Sequence, residues 1–256
     1  MRSLIRGAVS RLAEQRGYAI LPAWRLEHLE ASTFLRDVFS ALDIRAVLDV
    51  GANLGLYRDF LREQVGFRGD IVSIEPIPSL AQSMRTRAAS DRRWRVVECA
   101  LGASPGKAVL NVMASSTFSS FHEPDHSRLS MFEQKNRVVQ RIEVEVRTLD
   151  EFVGELMPIA APGRLFVKLD TQGFDLAVLE GAKGAIADVA AIQTEMSVIP
   201  IYEGAPDYVT TIRALESSGF QLAGLMRNNR AGYPLQLIEF DCVMVSRTAA
   251  GSAVRA

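Results

Sequence analysis

Apolar runs that stop on a polar residue, each followed by a stretch with helical spacing, recur along this chain. "IRAVLDV" (44–50), "DIVSIEP" (70–76), "WRVVECAL" (94–101), "RLFVKLD" (164–170) and "AAIQTEM" (190–196) read as strands. Helical spacing predicts helices around 54–65, 79–89, 172–187 and 205–218. Strands apolar on both faces and separated by helices predict a mainly parallel sheet. After residue 218 the alternation ends. "FQLAGLM" and "LQLIEFDCVMVSR" are joined by the turn-rich "RNNRAGYP", which predicts an antiparallel hairpin closing the sheet.

This pattern has one core, which we assign to a single domain over 44–247. It carries an insertion near 102–148, and its polar stretch at about 113–141 is long enough for a lid or binding loop. Residues 1–43 form a helical extension. In it Leu4, Ile5, Ala8, Val9 and Leu12 share one face, with Arg2, Arg6, Arg11 and Arg16 elsewhere. Such a helix docks on the main domain, or makes weak contact with an anionic membrane surface. Residues 248–256 are small and polar enough to form a flexible tail.

Composition narrows the chemistry. With 48% hydrophobic and 23% charged residues, the 256-residue chain reads as a soluble globular protein. A formal charge of −1 supplies no basic field for nucleic acid. Cys99 and Cys242 lie in apolar runs and read as buried free thiols, which suits a reducing, cytoplasmic setting. Cys and His do not cluster at ligand spacing, so no metal site is expected. No apolar stretch is long enough for a membrane span, and the N-terminus lacks the compact apolar block of a secretory signal. Self-association stays open.

The first strand carries the sharpest signal. "VLDVGANLGLY" (47–57) runs through Asp49 into Gly51, Ala52, Asn53, Gly55 and Leu56. It is not a P-loop, which needs a longer loop and a Lys–Ser/Thr pair, and it lacks the third glycine of the dinucleotide fingerprint. A phosphate beside Asp49 is repelled, so a cationic or zwitterionic ligand suits this loop better. The second strand ends in Glu75 and Pro76. Glu75 stands 26 positions beyond Asp49, one crossover away, where a carboxylate accepts from ribose hydroxyls. Ala100 and Leu101 offer a small apolar ledge for an adenine, or plain core.

These segments, with "CALG", "FVKLDTQGFDLAVLEGA" and "IQTEMSVIPIYEG", resemble the successive motifs of FkbM-type S-adenosylmethionine-dependent methyltransferases over about residues 46–246. The resemblance implies an α/β fold: a Rossmann-like class I methyltransferase sheet, mostly parallel. It also implies S-adenosyl-L-methionine as cofactor and O-methylation of a sugar, glycan or related polyhydroxylated acceptor. Many members carry Val-Glu-Gly where this chain has Thr171, Gln172 and Gly173. On this reading Asp49 meets the amino group of the cofactor. Loop amides from Gly51 to Gly55 take its carboxylate, and Glu75 holds the ribose. The rival readings are a nicotinamide-dependent dehydrogenase and a non-catalytic member that binds the cofactor.

Methyl transfer to a neutral hydroxyl gains from a positioned base. Asp170 ends the fourth strand at the pocket, although it is also a good helix cap. Lys168 shares its face by strand periodicity and pairs with it or orients substrate. Glu195 ends the fifth strand as base or holder, and His122 in the insertion has a suitable unperturbed pKa. Gln172, Tyr202 and Phe121 are candidates for the acceptor side, with Phe118 and Phe132 as further aromatic neighbours. Asp241, inside an apolar run, needs a partner if buried.

Overall fold

A computed structural model describes residues 15–18, 28–227 and 237–253. Helix α1 (Leu29–Ala41) precedes strand β1 (Ala46–Val50), helix α2 (Leu56–Phe60, continued as a π-helical turn over Leu61–Val65) and β2 (Asp70–Ile74). Then come α3 (Pro78–Ala88), with proline in its first turn, β3 (Trp94–Val97), β4 (Ala100–Leu101), β5 (Gly106–Met113) and β6 (Val138–Arg147). The chain continues through α4 (Leu149–Ala160), β7 (Leu165–Leu169), α5 (Asp175–Glu180), β8 (Val189–Ser197) and α6 (Tyr208–Ser217). It closes with β9 (Phe220–Arg227), β10 (Glu239–Ser246) and α7 (Arg247–Ala253).

Seven strands form the main sheet in the order β3-β2-β1-β7-β8-β10-β9. From β1 the chain winds outward through β2 and β3, then returns on the other side of β1 as β7, with all these pairings parallel. The strand order therefore reverses between β1 and β7, and the crevice for a ligand opens above their carboxyl ends. Every residue of β1 and β7 is buried, because the sheet is sandwiched between two apolar layers. Leu48, Val50, Val167 and Phe152 belong to one layer, and Leu35, Phe39, Val47 and Phe166 to the other.

Several details depart from the sequence reading. The run 94–101 is two strands: β3 stays in the main sheet, while Ala100–Leu101 pairs with β6 in a second, three-stranded sheet of order β4-β6-β5. The insertion is thus built on the β5–β6 hairpin. Helix α4 was not anticipated, and α5 is shorter than the expected 172–187. In the C-terminal hairpin β10 lies inside, antiparallel to both β8 and β9. Burial explains the order. Cys242, Val243 and Met244 are fully buried and suit an interior strand, whereas Leu222 and Leu225 of β9 are about half exposed and suit an edge. The expected flexible tail carries α7, whose Ala249 and Ala250 pack on the second apolar layer. The amphipathic stretch 4–12 and most of "RNNRAGYP" fall outside the described residues. Among the described residues, no helix is long and apolar enough to cross a membrane.

The insertion is tied down over the cleft. Asn111 and Ser120 exchange backbone hydrogen bonds, Asp125 N donates to Ile201 O (2.8 Å), and Glu203 N donates to Glu123 O (2.9 Å). Phe132 is buried against Phe118, Ile201 and Tyr202 rather than capping a pocket. The polar stretch expected as a lid is anchored at both of its turns.

Candidate functional site

A cavity of about 240 Å³ opens at the carboxyl ends of β1, β2 and β7 and passes under the insertion. Its wall is acidic: Glu75, Asp170, Glu195 and Glu239 all line it. Gly51 sets how closely β1 and β7 meet. It sits at φ +78°, and a Cβ there would lie 2.0 Å from the carbonyl oxygen of Asp170, so no other residue fits without moving the strands. Gly55, at φ +73°, is a packing glycine against Trp94 and Met84.

Asp49 does not line this cavity. A polar row crosses the middle of the sheet on one face, formed by the register partners Ser73, Asp49, Lys168 and Gln193 on β2, β1, β7 and β8. Trp94 Nε1 donates to Ser73 Oγ (3.0 Å), and Ser73 Oγ donates to Asp49 Oδ2 (3.2 Å). Tyr57 Oη donates to Gln193 Oε1 (2.7 Å). Asp49 is wholly buried, and burial raises its pKa. Its cation is internal, the Lys168 ammonium at 3.9 Å from Oδ1. The carboxylate is thus buried beside Lys168, just below the switch-point turn.

Gly51 N and Ala52 N both donate to Ile74 O at 3.0 Å, Asn53 N donates to Glu75 Oε2 (2.8 Å), and Gly55 N donates to Ala52 O (2.8 Å). These four groups hold the turn itself. Ala52 is buried in the apolar layer below. Asn53 lines the cleft in a left-handed conformation (φ +49°), its side-chain amide donating to Ser116 Oγ of the insertion (3.0 Å).

Glu75 is only 4% exposed, yet its carboxylate borders the cavity. Burial pushes its pKa up to about 7, against the pull of the N–H groups of Ile77 (2.9 Å to Oε1) and Asn53. Each oxygen so engaged keeps a second lone pair for a hydroxyl donor. Beside it, Pro76, Ile77, Ala100, Leu101 and Leu110 form an apolar wall to which the small sheet contributes. Phe121 adds its ring there and stacks obliquely on Phe174 at 4.8 Å. Cys99 also touches this wall, with its thiol pushed up to about 12 by burial, so it stays protonated. Cys99 and Cys242 are both buried and unpaired.

The richest constellation follows β7. Lys168 Nζ donates to Asp170 Oδ2 (2.8 Å). Burial alone would lower the Lys168 pKa, but Asp170 and Asp49 overcome it and hold the ammonium charged. Burial would raise Asp170, and Lys168 and Gln172 outweigh that and hold its carboxyl below the usual range. Glu195 goes the other way: burial, then the charges of Asp170, Glu239 and Asp241, raise its pKa well above normal. Gln172 joins the two carboxylates, its Nε2 donating to Asp170 Oδ1 (2.9 Å) and Glu195 Oε2 (3.1 Å).

Gln172 is left-handed (φ +54°), a conformation costing about 1 kcal/mol or more for a residue with a side chain. Asp175 offsets this by fixing the turn: it accepts from Thr171 N (3.0 Å), the Thr171 hydroxyl and Thr194 Oγ1 (2.5 Å). Gly173 follows at φ +89°, with Ala205 so close that a Cβ would clash at 2.9 Å.

Of the residues expected at the site, Gly51, Asn53, Glu75, Pro76, Ala100, Leu101, Phe121, Asp170, Gln172 and Glu195 come together on this one wall. Tyr202 is 4% exposed, with its hydroxyl shared between Phe118 O (2.7 Å) and Gln172 Oε1 (2.8 Å). That hydroxyl is therefore committed within the protein. His122 lies outside the lining, edge-on to Phe174 at 5.6 Å. Leu56 and Lys168 border a second cavity, of about 480 Å³, on the other side of Asp170. Asp241 is partly exposed there rather than buried. Sequence reasoning missed Glu239, Asp175 and the Ser116–Ser119 wall. Asp175 had a local signal, standing four residues after Thr171 in "TQGFD".

No protein of curated function matches the chain in sequence. Among solved structures, similarity extends to an FkbM methyltransferase from Methylobacillus flagellatus KT (18% identity, TM-score 0.49). That alignment covers 79% of this chain and 44% of that one, so this chain spans less than half of its length. An S-adenosylmethionine-dependent methyltransferase from Aquifex aeolicus matches at 13% identity and TM-score 0.43, over 88% of this chain and 94% of that one. An Aeropyrum pernix fibrillarin with natively bound S-adenosyl-L-methionine matches at 11% identity and TM-score 0.46, over 84% and 73%. The sequence family described as the methyltransferase FkbM domain matches residues 49–222, from Asp49 at the end of β1 into β9. That match takes in most of the strands that build the cleft, and the chain belongs to the FkbM methyltransferase family.

Proposed function

We propose that the chain is an O-methyltransferase that moves a methyl group from S-adenosylmethionine to a hydroxyl of a sugar, glycan or related polyhydroxylated small molecule. The observation that carries the reading is the acidic cleft at the switch point, with Asp170 kept ionised by Lys168 on its wall. A diphosphate would meet the ionised Asp170 and a wall of further acids there, whereas a ligand bearing both a sulfonium and an ammonium gains from that charge. The residues fit such a cofactor. Glu75 has lone pairs for two ribose hydroxyls, Ile77, Ala100, Leu101 and Leu110 accommodate a flat apolar base, and Asp170 and Glu195 face the cationic end.

The cofactor supplies an already activated methyl group. The protein has to hold an acceptor hydroxyl in line with it, which contributes several kcal/mol through orientation. Asp170 takes the hydroxyl proton as the new oxygen–carbon bond forms, while the carbon–sulfur electron pair stays on sulfur. That proton becomes strongly acidic as the oxygen bonds to carbon, so an ordinary ionised carboxylate suffices, contributing about 10²–10⁴-fold.

Calorimetry with S-adenosylmethionine and with NAD, followed by labelled-methyl transfer to a panel of sugars and glycans, tests the proposal. Binding of the first alone and transfer to a hydroxyl are expected, and Asp170→Asn should keep the cofactor and lose turnover. Tight NAD binding would overturn the reading, and undiminished turnover by the variant would remove Asp170 as base. Cofactor binding without transfer to any member of the panel would favour a non-catalytic role.

A further inference from the structure

We propose that Gln172 is a positioning residue: its side-chain amide clamps Asp170 and Glu195 into one carboxylate pair and ties that pair, through Tyr202, to the insertion. The three contacts use the amide almost completely. Nε2 gives one proton to each carboxylate, and Oε1 lies 2.8 Å from the Tyr202 hydroxyl. The backbone adds a fourth tie, with Ser120 Oγ donating to Gln172 O (2.8 Å). A residue so occupied is not a free hydrogen-bonder for an acceptor. It joins the ends of β7 and β8 to Phe118 and Ser120 of the opposite wall.

The clamp gives the two acids different roles. Lys168 on Oδ2 and Gln172 on Oδ1 both donate to Asp170, which stabilises its charged form. On Glu195 the amide donates to Oε2, so a proton carried by Glu195 resides on Oε1. The charged and titratable groups around the pair are Lys168 on β7, Asp49 on β1, Glu75 after β2, Asp175 on α5, Glu239 and Asp241 on β10, and Tyr202. His122 of the insertion stands beside Gly173. An acid at position 172 would put a third carboxylate against two others, and only a neutral amide can donate to both at once.

The inference rests on the proposed role of Asp170, so its test is separated from cofactor binding. The carboxyl carbon-13 resonances of Asp170 and Glu195, assigned through D170N and E195Q, are followed against pH in the full chain and in Q172A and Y202F. Gln172→Ala, which removes both donors and adds no charge, should raise the Asp170 titration by about one pH unit, a tenfold change in proton affinity. Tyr202→Phe, which frees the amide to reorient, should shift it less and in the same direction. A Gln172 that merely fills space would leave both variants titrating as the wild type does, and that result overturns the proposal. Should Q172A fail to fold, Q172L takes its place: it removes the donors at similar volume, and the same upward shift is expected. Calorimetry with S-adenosylmethionine runs alongside. Absence of wild-type binding would retire the cofactor reading alone, and a shifted titration would still uphold the clamp.

Discussion

Replacing Glu75 by Gln separates the stability of the cleft from its affinity. In the folded chain Glu75 holds its proton up to about pH 7, because burial disfavours the charge more than the Asn53 and Ile77 N–H groups favour it. An unfolded chain loses that proton near the ordinary glutamate value of 4.5. Between those two values the folded state binds more protons, so stability from this group is full below the lower value and falls as pH rises toward the upper. At about 1.4 kcal/mol per pH unit, the gap amounts to about 3 kcal/mol. Gln cannot titrate, so this part of the pH dependence vanishes in E75Q. It also presents one oxygen where two were used, so one backbone N–H faces an NH₂ group, costing about 1–3 kcal/mol. The variant should therefore be less stable than wild type near pH 5, with the difference closing or reversing near pH 8, in urea denaturation at both values. Cofactor affinity should fall at least tenfold, since hydrogen bonds to a charged acceptor contribute about 1.5–3 kcal/mol each. Parallel stability–pH curves for the two proteins would refute the argument, because Glu75 would then titrate as an ordinary exposed acid.

Two further substitutions probe the scaffold under the site. Lys168→Met leaves Asp49 and Asp170 without their shared cation, and breaking a buried pair costs about 3–5 kcal/mol. Both acids then bind protons more tightly when folded, so the loss should be largest at alkaline pH and shrink on acidification, with Asp49→Asn recovering part of it. A loss independent of pH in chemical denaturation would count against the charge argument. Gly51→Ala forces a Cβ to 2.0 Å from the Asp170 carbonyl oxygen at a left-handed φ, so a destabilisation of about 3 kcal/mol or more is expected. A melting temperature within a degree or two of wild type would show that β1 and β7 can separate freely there.

The strands, the crevice and much of its wall were legible in the sequence. Apolar runs ending in polar residues mark parallel strands buried on both faces, and the same ends gather Glu75, Asp170 and Glu195. Strand periodicity alone paired Lys168 with Asp170, two residues away on one face. What eluded the sequence depends on lateral neighbours. That Asp49 lies beside an internal cation depended on Lys168 standing opposite it in register, 119 residues along the chain. The acceptors for the Gly51, Ala52 and Asn53 amides likewise come from the neighbouring strand end, at Ile74 and Glu75.

The local pattern of apolar and polar positions decided which segments become strands and helices, because burial periodicity and turn chemistry act within a few residues. Only the packed chain decided which carboxylate meets a cation, which amide joins two acids, and which hydroxyl is spent inside the protein. Those assignments are made by hydrogen bonds between residues far apart in sequence, and short-range pattern carries no record of them.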